Sequence, residues 1–277
     1  MGATSHPIRL IVNADDFGRS SSINQAVITA HRDGILTTAS LMVTGEACAE
    51  AVSLARENPR LGVGLHITLA CGRSALPAAE VSGLADAQGN FSEDPVQAGF
   101  KYWASSEARR QIAQELRAQF ELFRKTGLNL DHVNGHLHFH LHPAVWDALR
   151  PLLKEYNVKA MRLTRDPLRP NLRLAKGNLA YRVSHALIFD LLSRRAKHFL
   201  DQQQIRYTDK VYGLLQNAKV DAPFINSLLR DIGPGNYELY SHPSLDEFKH
   251  EFDGLVSSAV REIVASRRIQ LIRYSDL

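Results

Sequence analysis

The sequence has few cysteines, no long apolar run and no compositionally biased segment. Its 277 residues include two cysteines, Cys48 and Cys71, too few for a disulfide framework. No stretch approaches the roughly 18 uninterrupted apolar residues that a membrane-spanning helix needs, and residues 1–6 lack the apolar run of a signal peptide. The sequence is 44% hydrophobic and 22% charged, a composition that excludes collagen-like and low-complexity chains. The sequence therefore predicts a globular protein of the reducing cytoplasm.

Positive charge is concentrated in one part of the chain. The formal net charge is +4, yet between Arg165 and Lys219 eleven Lys and Arg accompany four Asp, which leaves the remainder slightly acidic. Two interpretations stay open: a solvated face whose arginine stems cover apolar surface, or peripheral contact with the anionic inner face of a membrane. Because no nucleic-acid-binding motif is present, no nucleic-acid partner is expected.

Apolar strands and amphipathic helices alternate in the first part of the chain. Residues 8–12, 39–43 and 62–69 are apolar and include β-branched residues, which predicts three buried strands. Amphipathic spacing after residues 20–22 and over 47–56 predicts helices between them. Alternation of this kind is typical of a parallel sheet of βα units.

The rest of the chain continues the pattern with two irregular stretches. We expect a single α/β domain over residues 1–277, TIM-barrel-like (a distorted β/α barrel), with insertions at about 71–105 and 165–219. In such barrels the carboxyl ends of the strands assemble the active site. Further strands are predicted at 158–163, 237–241 and 269–274, and further helices at 107–125, 144–156, 182–202 and 255–267.

Side chains able to do chemistry stand in or next to four predicted strands, of which one is the histidine segment entered through Leu128 and Leu130. They are Asp15, Asp16, His66, His136 and His242. Adjacent carboxylates can be divided between two tasks, since one can bind a metal while its neighbour accepts a proton. Taken alone, the aspartates are explained by a polar turn and His66 by a hydrogen-bonded core position. Their expected convergence at one sheet edge favours a site instead.

Five of the twelve histidines fall within eleven residues, from His132 to His142. On an extended strand His136, His138 and His140 would share one face, and residues four apart would lie about 13 Å from each other. We therefore expect one or two of them to bind a metal and the others to support the ligands or contact substrate. A mixed Asp/His/His set with open positions suits Zn²⁺ or another divalent ion.

Five segments, in order over nearly the whole chain, carry a family resemblance. They read LIVNADDFG at 10–18, GILTTASLMV at 34–43, VGLH at 63–66, GHLHFH at 135–140 and ELYSHP at 238–243. Together they resemble the YdjC/ChbG family of carbohydrate deacetylases. The segments AHRDGILTTASLMV at 30–43 and LDHVNGHLHFHLHP at 130–143 are most similar to the hopanoid-biosynthesis-associated branch, called HpnK.

The resemblance implies a TIM-barrel-like fold and divalent-metal-dependent hydrolysis of the N-acetyl group of an acetamido sugar. Carried over by position, it implies that one Zn or Mg ion is held by Asp16, His66 and His136. Asp15 would then be the general base and His242 the general acid. In the HpnK branch the implied substrate is an N-acetylglucosaminyl group on a hopanoid-type lipid.

Three further residues, His138, His140 and Arg162, are predicted to bind substrate. The chain departs from many relatives at Asn134, where an acidic residue is usual, and at Ser244, where glycine is usual. Two alternatives remain: another metal-dependent amidohydrolase or phosphoesterase, and a non-catalytic metal- or carbohydrate-binding barrel. The oligomeric state, a homodimer included, stays open.

Overall fold

The structure, a computed structural model, describes residues 7–174, 178–216 and 218–277. Residues 1–6, where the sequence predicts no signal peptide, lie outside the described residues, as do parts of the basic region at 175–177 and 217. Within the described ranges, no helix combines the length and the apolar character needed to cross a membrane.

A parallel sheet forms the centre of the molecule. Its strands in the described chain are β1 (Ile8–Phe17), β2 (Thr38–Leu41), β3 (Gly62–Ile67), β4 (Leu130–Gly135), β5 (Lys210–Tyr212), β6 (Gly235–Ser241) and β7 (Gln270–Leu271). Their order is β4-β3-β2-β1-β6-β5, with β7 paired to β1. Every pairing between these strands is parallel, so all carboxyl ends lie at one edge.

The sheet curves into a half-barrel whose far side is made by single bridges. Val133 of β4 bridges Met161, and Ala160 bridges Arg206, both in parallel. This architecture confirms the predicted distorted α/β barrel. The expected strand at 158–163 is reduced to these two bridges, because Met161 pairs with one neighbouring segment and Ala160 with the other.

Helices on the outside of the sheet bury its apolar faces. In the described residues they are α1 (Ser21–Asp33), α2 (Cys48–Glu57), α3 (Pro95–Ala104), α4 (Ser106–Lys125), α5 (Pro143–Glu155), α6 (Leu168–Leu174), α7 (Leu179–Gln202), α8 (Ala222–Asp231), α9 (Lys249–Val256) and α10 (Ser258–Ser266). The Ser20 hydroxyl caps α1, as its sequence predicts. The single helix expected at 255–267 is wrong: Ser257 has an extended ψ of 128°, which separates α9 from α10.

The apolar strands are the most deeply buried part of the chain. Leu10 and Val12 of β1 and Leu65 of β3 are inaccessible to solvent and belong to one core with Leu116 and Phe120 of α4. Burying such side chains stabilises the fold by about 1.5–3 kcal/mol each. The strand ends that follow these residues are therefore held on a rigid base.

Candidate metal centre

The carboxyl ends of three strands bring the predicted metal ligands together. Asp16 lies near the end of β1, His66 lies in β3 and His136 directly follows β4. One potential ligand atom from each residue lies within 4.8 Å of the other two, and all three side chains are buried. The structure thus brings together the three residues that the sequence predicts as metal ligands.

A local irregularity in β1 turns its two aspartates in different directions. Asp16 has a φ of 64°, in the left-handed region, and the pairing with β2 shifts register between Ala14 and Phe17. Asp16 consequently faces the histidines, while Asp15 faces a buried arginine. The adjacent carboxylates are therefore available for separate tasks.

The atoms of the cluster fit a bound cation. Asp16 Oδ1 lies 2.8 Å from His136 Nδ1 and 3.2 Å from His66 Nε2. His66 Nδ1 lies 2.7 Å from Asn134 Oδ1, a contact in which the ring nitrogen donates. That hydrogen bond leaves the lone pair on Nε2, which is buried and has no hydrogen-bond partner. An orphaned imidazole nitrogen beside a carboxylate is what a divalent ion would satisfy.

Charge in the cluster is balanced between Asp16 and His136. Burial alone would raise the pKa of Asp16, but His136 and His66 hold it well below its ordinary value. Burial alone would lower the pKa of His136, yet Asp16 raises it. Since a metal binds deprotonated imidazole, we expect metal and proton to compete for His136.

Asp15 is held ionised and in a single orientation. Its carboxylate accepts two hydrogen bonds from Arg162, at 2.7 and 3.0 Å, and further ones from Asn13 at 2.8 Å and Asn134 at 3.2 Å. Burial alone would raise the pKa of Asp15, but Arg162 and His66 hold it well below its usual range. Asp15 is thus a carboxylate at neutral pH.

Arg162 does not reach the cavity, and the predicted substrate contact is corrected accordingly. Its side chain is fully buried between Asp15 and Glu238, with Nη2 2.6 Å from Glu238 Oε1. The guanidinium also lies 4.3 Å from the centre of the Tyr240 ring. The Tyr274 hydroxyl donates to the second oxygen of Glu238. Arg162 therefore positions Asp15 from behind.

We expect Arg162→Met to lower the free energy of unfolding by about 3–5 kcal/mol, because Asp15 and Glu238 would remain buried without their shared cation. Chemical denaturation measures this loss. Arg117→Met is the matched control, since Arg117 pairs with Glu155 at the surface and its removal should change stability little. Equal losses in both variants would contradict the account.

The histidine segment is not the extended strand that its alternation predicts. Residues 136–141 form a short 3₁₀ turn in which Leu137 and His138 have φ values of 51° and 59°. The chain therefore reverses directly after β4, and the histidines point to different places. His136 joins the cluster, His138 lines the cavity, and His140 is buried beneath it.

His138 and His140 have different surroundings. His138 Nε2 lies 2.9 Å from the Tyr240 hydroxyl, and burial together with Arg162 holds its pKa well below the ordinary value. Burial, followed by Arg162, lowers the pKa of His140 to about 3. His140 is not part of the cavity wall formed by the described residues, which corrects its predicted substrate contact. Both rings are neutral near pH 7.

His242 lines the same cavity and has a carboxylate behind it. Its Nδ1 lies 3.7 Å from Glu251 Oε2, an oxygen that also accepts the His242 backbone N–H at 2.6 Å. Burial alone would lower the pKa of His242, but Glu251, Asp16 and Asp15 raise it to about 9. His242 therefore carries a proton at neutral pH.

Sequence reasoning missed the residues behind the site. Glu238, Tyr274 and Glu251 are buried and hold Arg162 or His242, and Asn13 contacts Asp15. Glu238 had a readable signal, because a carboxylate between Tyr237 and Leu239 in a predicted strand needs a buried cation. Tyr274 lies 36 residues from Glu238 and Glu251 lies nine residues from His242, and neither spacing is a sequence signal for a contact.

The candidate cavity has a volume of about 980 Å³. Its polar end contains Asp15, Asp16, His66, His136 and His242. Much of the remaining wall is apolar and comes from α3 and α7, with Phe100, Trp103, Ile188, Phe189 and Leu192 among the lining residues. One end of the cavity is therefore charged, and much of its remaining wall is apolar.

A parallel α/β half-barrel with an Asp, His, His cluster at its strand ends defines the class: an α/β-barrel protein with a candidate divalent-metal centre. The model of the YdjC-like protein family matches residues 9–266. The chain belongs to the YdjC-like family, which confirms the family resemblance of its sequence motifs.

Curated relatives share part of the chain. It is 42% identical over 151 residues to a carbohydrate deacetylase of Brevibacillus brevis, a match covering 54% of this chain and 58% of the relative. It is 38% identical over 165 residues to a carbohydrate deacetylase of Geobacillus stearothermophilus, a match covering 59% of this chain and 60% of the relative. The matched region thus spans somewhat more than half the length of these relatives.

Solved structures share the fold over the whole length. A crystal structure from Enterococcus faecalis, provisionally assigned to cellobiose-phosphate cleavage, has a TM-score of 0.73 at 23% identity and covers 98% of each chain. The lactam utilization protein of Thermus thermophilus has a TM-score of 0.50 at 15% identity, covering 95% of this chain and 99% of the other. At these identities the similarity shows the fold alone.

Proposed function

We propose that the protein is a metal-dependent carbohydrate deacetylase that hydrolyses the N-acetyl group of an acetamido sugar. One observation carries the proposal: the Asp16, His66, His136 cluster shares a cavity with ionised Asp15 and protonated His242. A binding protein would need neither a base nor an acid at that place. The names of the curated relatives support the same reaction class.

Asp16, His66 and His136 would hold the metal, with Asn134 fixing the His66 ring. A divalent ion bound there, Zn or Mg, supplies Lewis acidity that polarises the acyl oxygen and lowers the pKa of water. Three protein ligands beside a cavity would suit a reactive metal site, whereas a closed structural site has four.

The protein side chains perform the proton transfers. Asp15, oriented by Arg162, accepts the proton of the attacking water through its ionised carboxylate. His242, charged at neutral pH, donates a proton to the departing amine. Because the sugar amine is a poor leaving group until protonated, both residues are needed for one turnover.

We further propose the HpnK-type substrate, an N-acetylglucosaminyl group on a hopanoid-type lipid. The sequence similarity of residues 30–43 and 130–143 supports this choice, and so does the apolar wall from α3 and α7. Acetate release from soluble and lipid-linked N-acetylglucosaminyl compounds tests it. We expect the higher kcat/KM with the lipid-linked compound. Equal values would contradict the lipid assignment, and phosphate release from aryl phosphates without acetate release would favour a phosphoesterase.

We expect Glu251→Gln to move the basic limb of the pH–rate profile to lower pH by about one unit or more. Activity needs His242 protonated, so it should fall as pH rises through about 9 in the wild type. Removing the Glu251 charge removes the main influence that raises this pKa. Steady-state kinetics across pH measure the shift, with Glu247→Gln as an exposed control. An unchanged basic limb would show that His242 is not the acid.

A further inference from the structure

Large apolar side chains are exposed on α3 and α7, the two helices that form the apolar wall of the cavity. On α3, Val96, Phe100 and Trp103 lie on one face, with 66%, 69% and 63% of their surfaces exposed. On α7, Leu187 and Leu191 lie one turn apart and are 66% and 68% exposed. We call these five residues the apolar rim. Large groups of exposed apolar side chains are uncommon on monomeric proteins and often mark interaction sites.

The apolar rim extends beyond what a bound substrate would cover. Phe100 and Trp103 line the cavity, and so does Ile188, which lies between Leu187 and Leu191 on α7. Leu187 and Leu191 are not part of the cavity wall that the described residues form. A ligand inside the cavity would therefore leave these two leucines in water, where they are accessible to a partner outside the molecule.

Basic side chains flank the apolar rim. Lys101 is exposed on α3 between Phe100 and Trp103, and Arg109 Nη1 donates to the Trp103 carbonyl at 3.1 Å. On α7, Arg194 lies three residues beyond Leu191, 2.8 Å from Asp190. Acidic residues lie at both ends of α3: Glu93 and Asp94 precede it, and Glu107 is exposed four residues beyond Trp103. Around Trp103 the exposed charges are Lys101, Arg109 and Arg110 against Glu107, so the margin of this apolar surface has a net positive charge.

We propose that the apolar rim and the basic residues beside it form a docking surface that seats the cavity opening on an anionic lipid bilayer. Apolar side chains enter the boundary between headgroups and acyl chains, Trp favours that boundary, and Lys and Arg attract anionic headgroups. A second copy of the chain fits less well, since a two-fold contact through this face would set its basic residues against themselves. Delivery of a lipid-linked substrate by the bilayer rests on the proposed function. Docking on the bilayer does not depend on that function.

Co-sedimentation of the full chain with lipid vesicles tests the docking surface. We expect binding to vesicles of phosphatidylglycerol and phosphatidylcholine, weakened by salt, and far less binding to phosphatidylcholine alone. The double variant Leu187→Ser, Leu191→Ser should bind the anionic vesicles about tenfold more weakly or worse. Leu191→Ser alone should weaken binding, and Leu245→Ser, the same change at an exposed leucine outside the rim, should not.

Two further measurements separate the possible failures. Acetate release from a soluble N-acetylglucosamine oligosaccharide should be unchanged in the double variant, because Leu187 and Leu191 lie outside the cavity wall. Light scattering should show the same oligomeric state as the wild type. Absence of vesicle binding, or a dimer that the double variant converts to a monomer, would overturn the docking proposal. Vesicle binding without acetate release from any substrate would overturn the proposed function instead.

Discussion

Replacing Asp15 with asparagine should reduce kcat/KM for acetate release by at least about a hundredfold. The amide matches the carboxylate in size but cannot accept a proton from water. Asp15 accepts hydrogen bonds from Arg162, Asn13 and Asn134, so the exchange also disturbs the donors that orient it. Arg162 keeps its second partner, Glu238, and the fold should persist. Steady-state kinetics with a soluble acetamido sugar measure the effect.

The same variant should keep its metal. Asp15 faces Arg162, whereas the cluster is formed by Asp16, His66 and His136. Metal content by elemental analysis should therefore match the wild type, and Asp33→Asn, an exposed change at the end of α1, should alter neither metal nor rate. Near-normal turnover in Asp15→Asn would refute its assignment as the base.

Replacing His136 with alanine should weaken divalent-metal affinity by more than about a hundredfold, a larger effect than removing a group that only supports a ligand. It removes one of three ligands and leaves Asp16 with His66 alone. Calorimetric titration of the metal-free protein with Zn²⁺ and Mg²⁺ measures the affinity. Added metal should raise the thermal unfolding temperature of the wild type but not that of His136→Ala.

A matched histidine variant distinguishes loss of the site from general damage. His198 is exposed near the end of α7, so His198→Ala should bind metal and unfold as the wild type does. If His136→Ala bound either metal with unchanged affinity, the cluster would not be the metal centre. Loss of binding in both variants would show that the titration reports adventitious sites.

The general architecture could be predicted from the sequence because its signals are local. The apolar runs at 8–12 and 62–69 alternate with amphipathic helices, and parallel strands necessarily end at one edge. That rule alone places Asp16, His66 and His136 near one another, as the structure confirms.

Other features depend on backbone geometry or on distant contacts. Alternation of His136, His138 and His140 indicates a strand, but left-handed residues after Gly135 make a turn, and periodicity contains no signal for that. Arg162 is predicted to bind substrate, and it lies within the strand predicted at 158–163. Its true partner Glu238 lies 76 residues later, and only the folded sheet brings the two together.

The measurement that tests the central claim most directly is acetate release from an N-acetylglucosaminyl substrate by chelator-treated protein before and after divalent metal is returned. The account predicts stoichiometric acetate and free amine with metal, almost none without it, and recovery on adding Zn²⁺ or Mg²⁺ to the wild type but not to His136→Ala. Acetate release that is indifferent to the chelator, or its absence in the metal-loaded protein, would contradict the account.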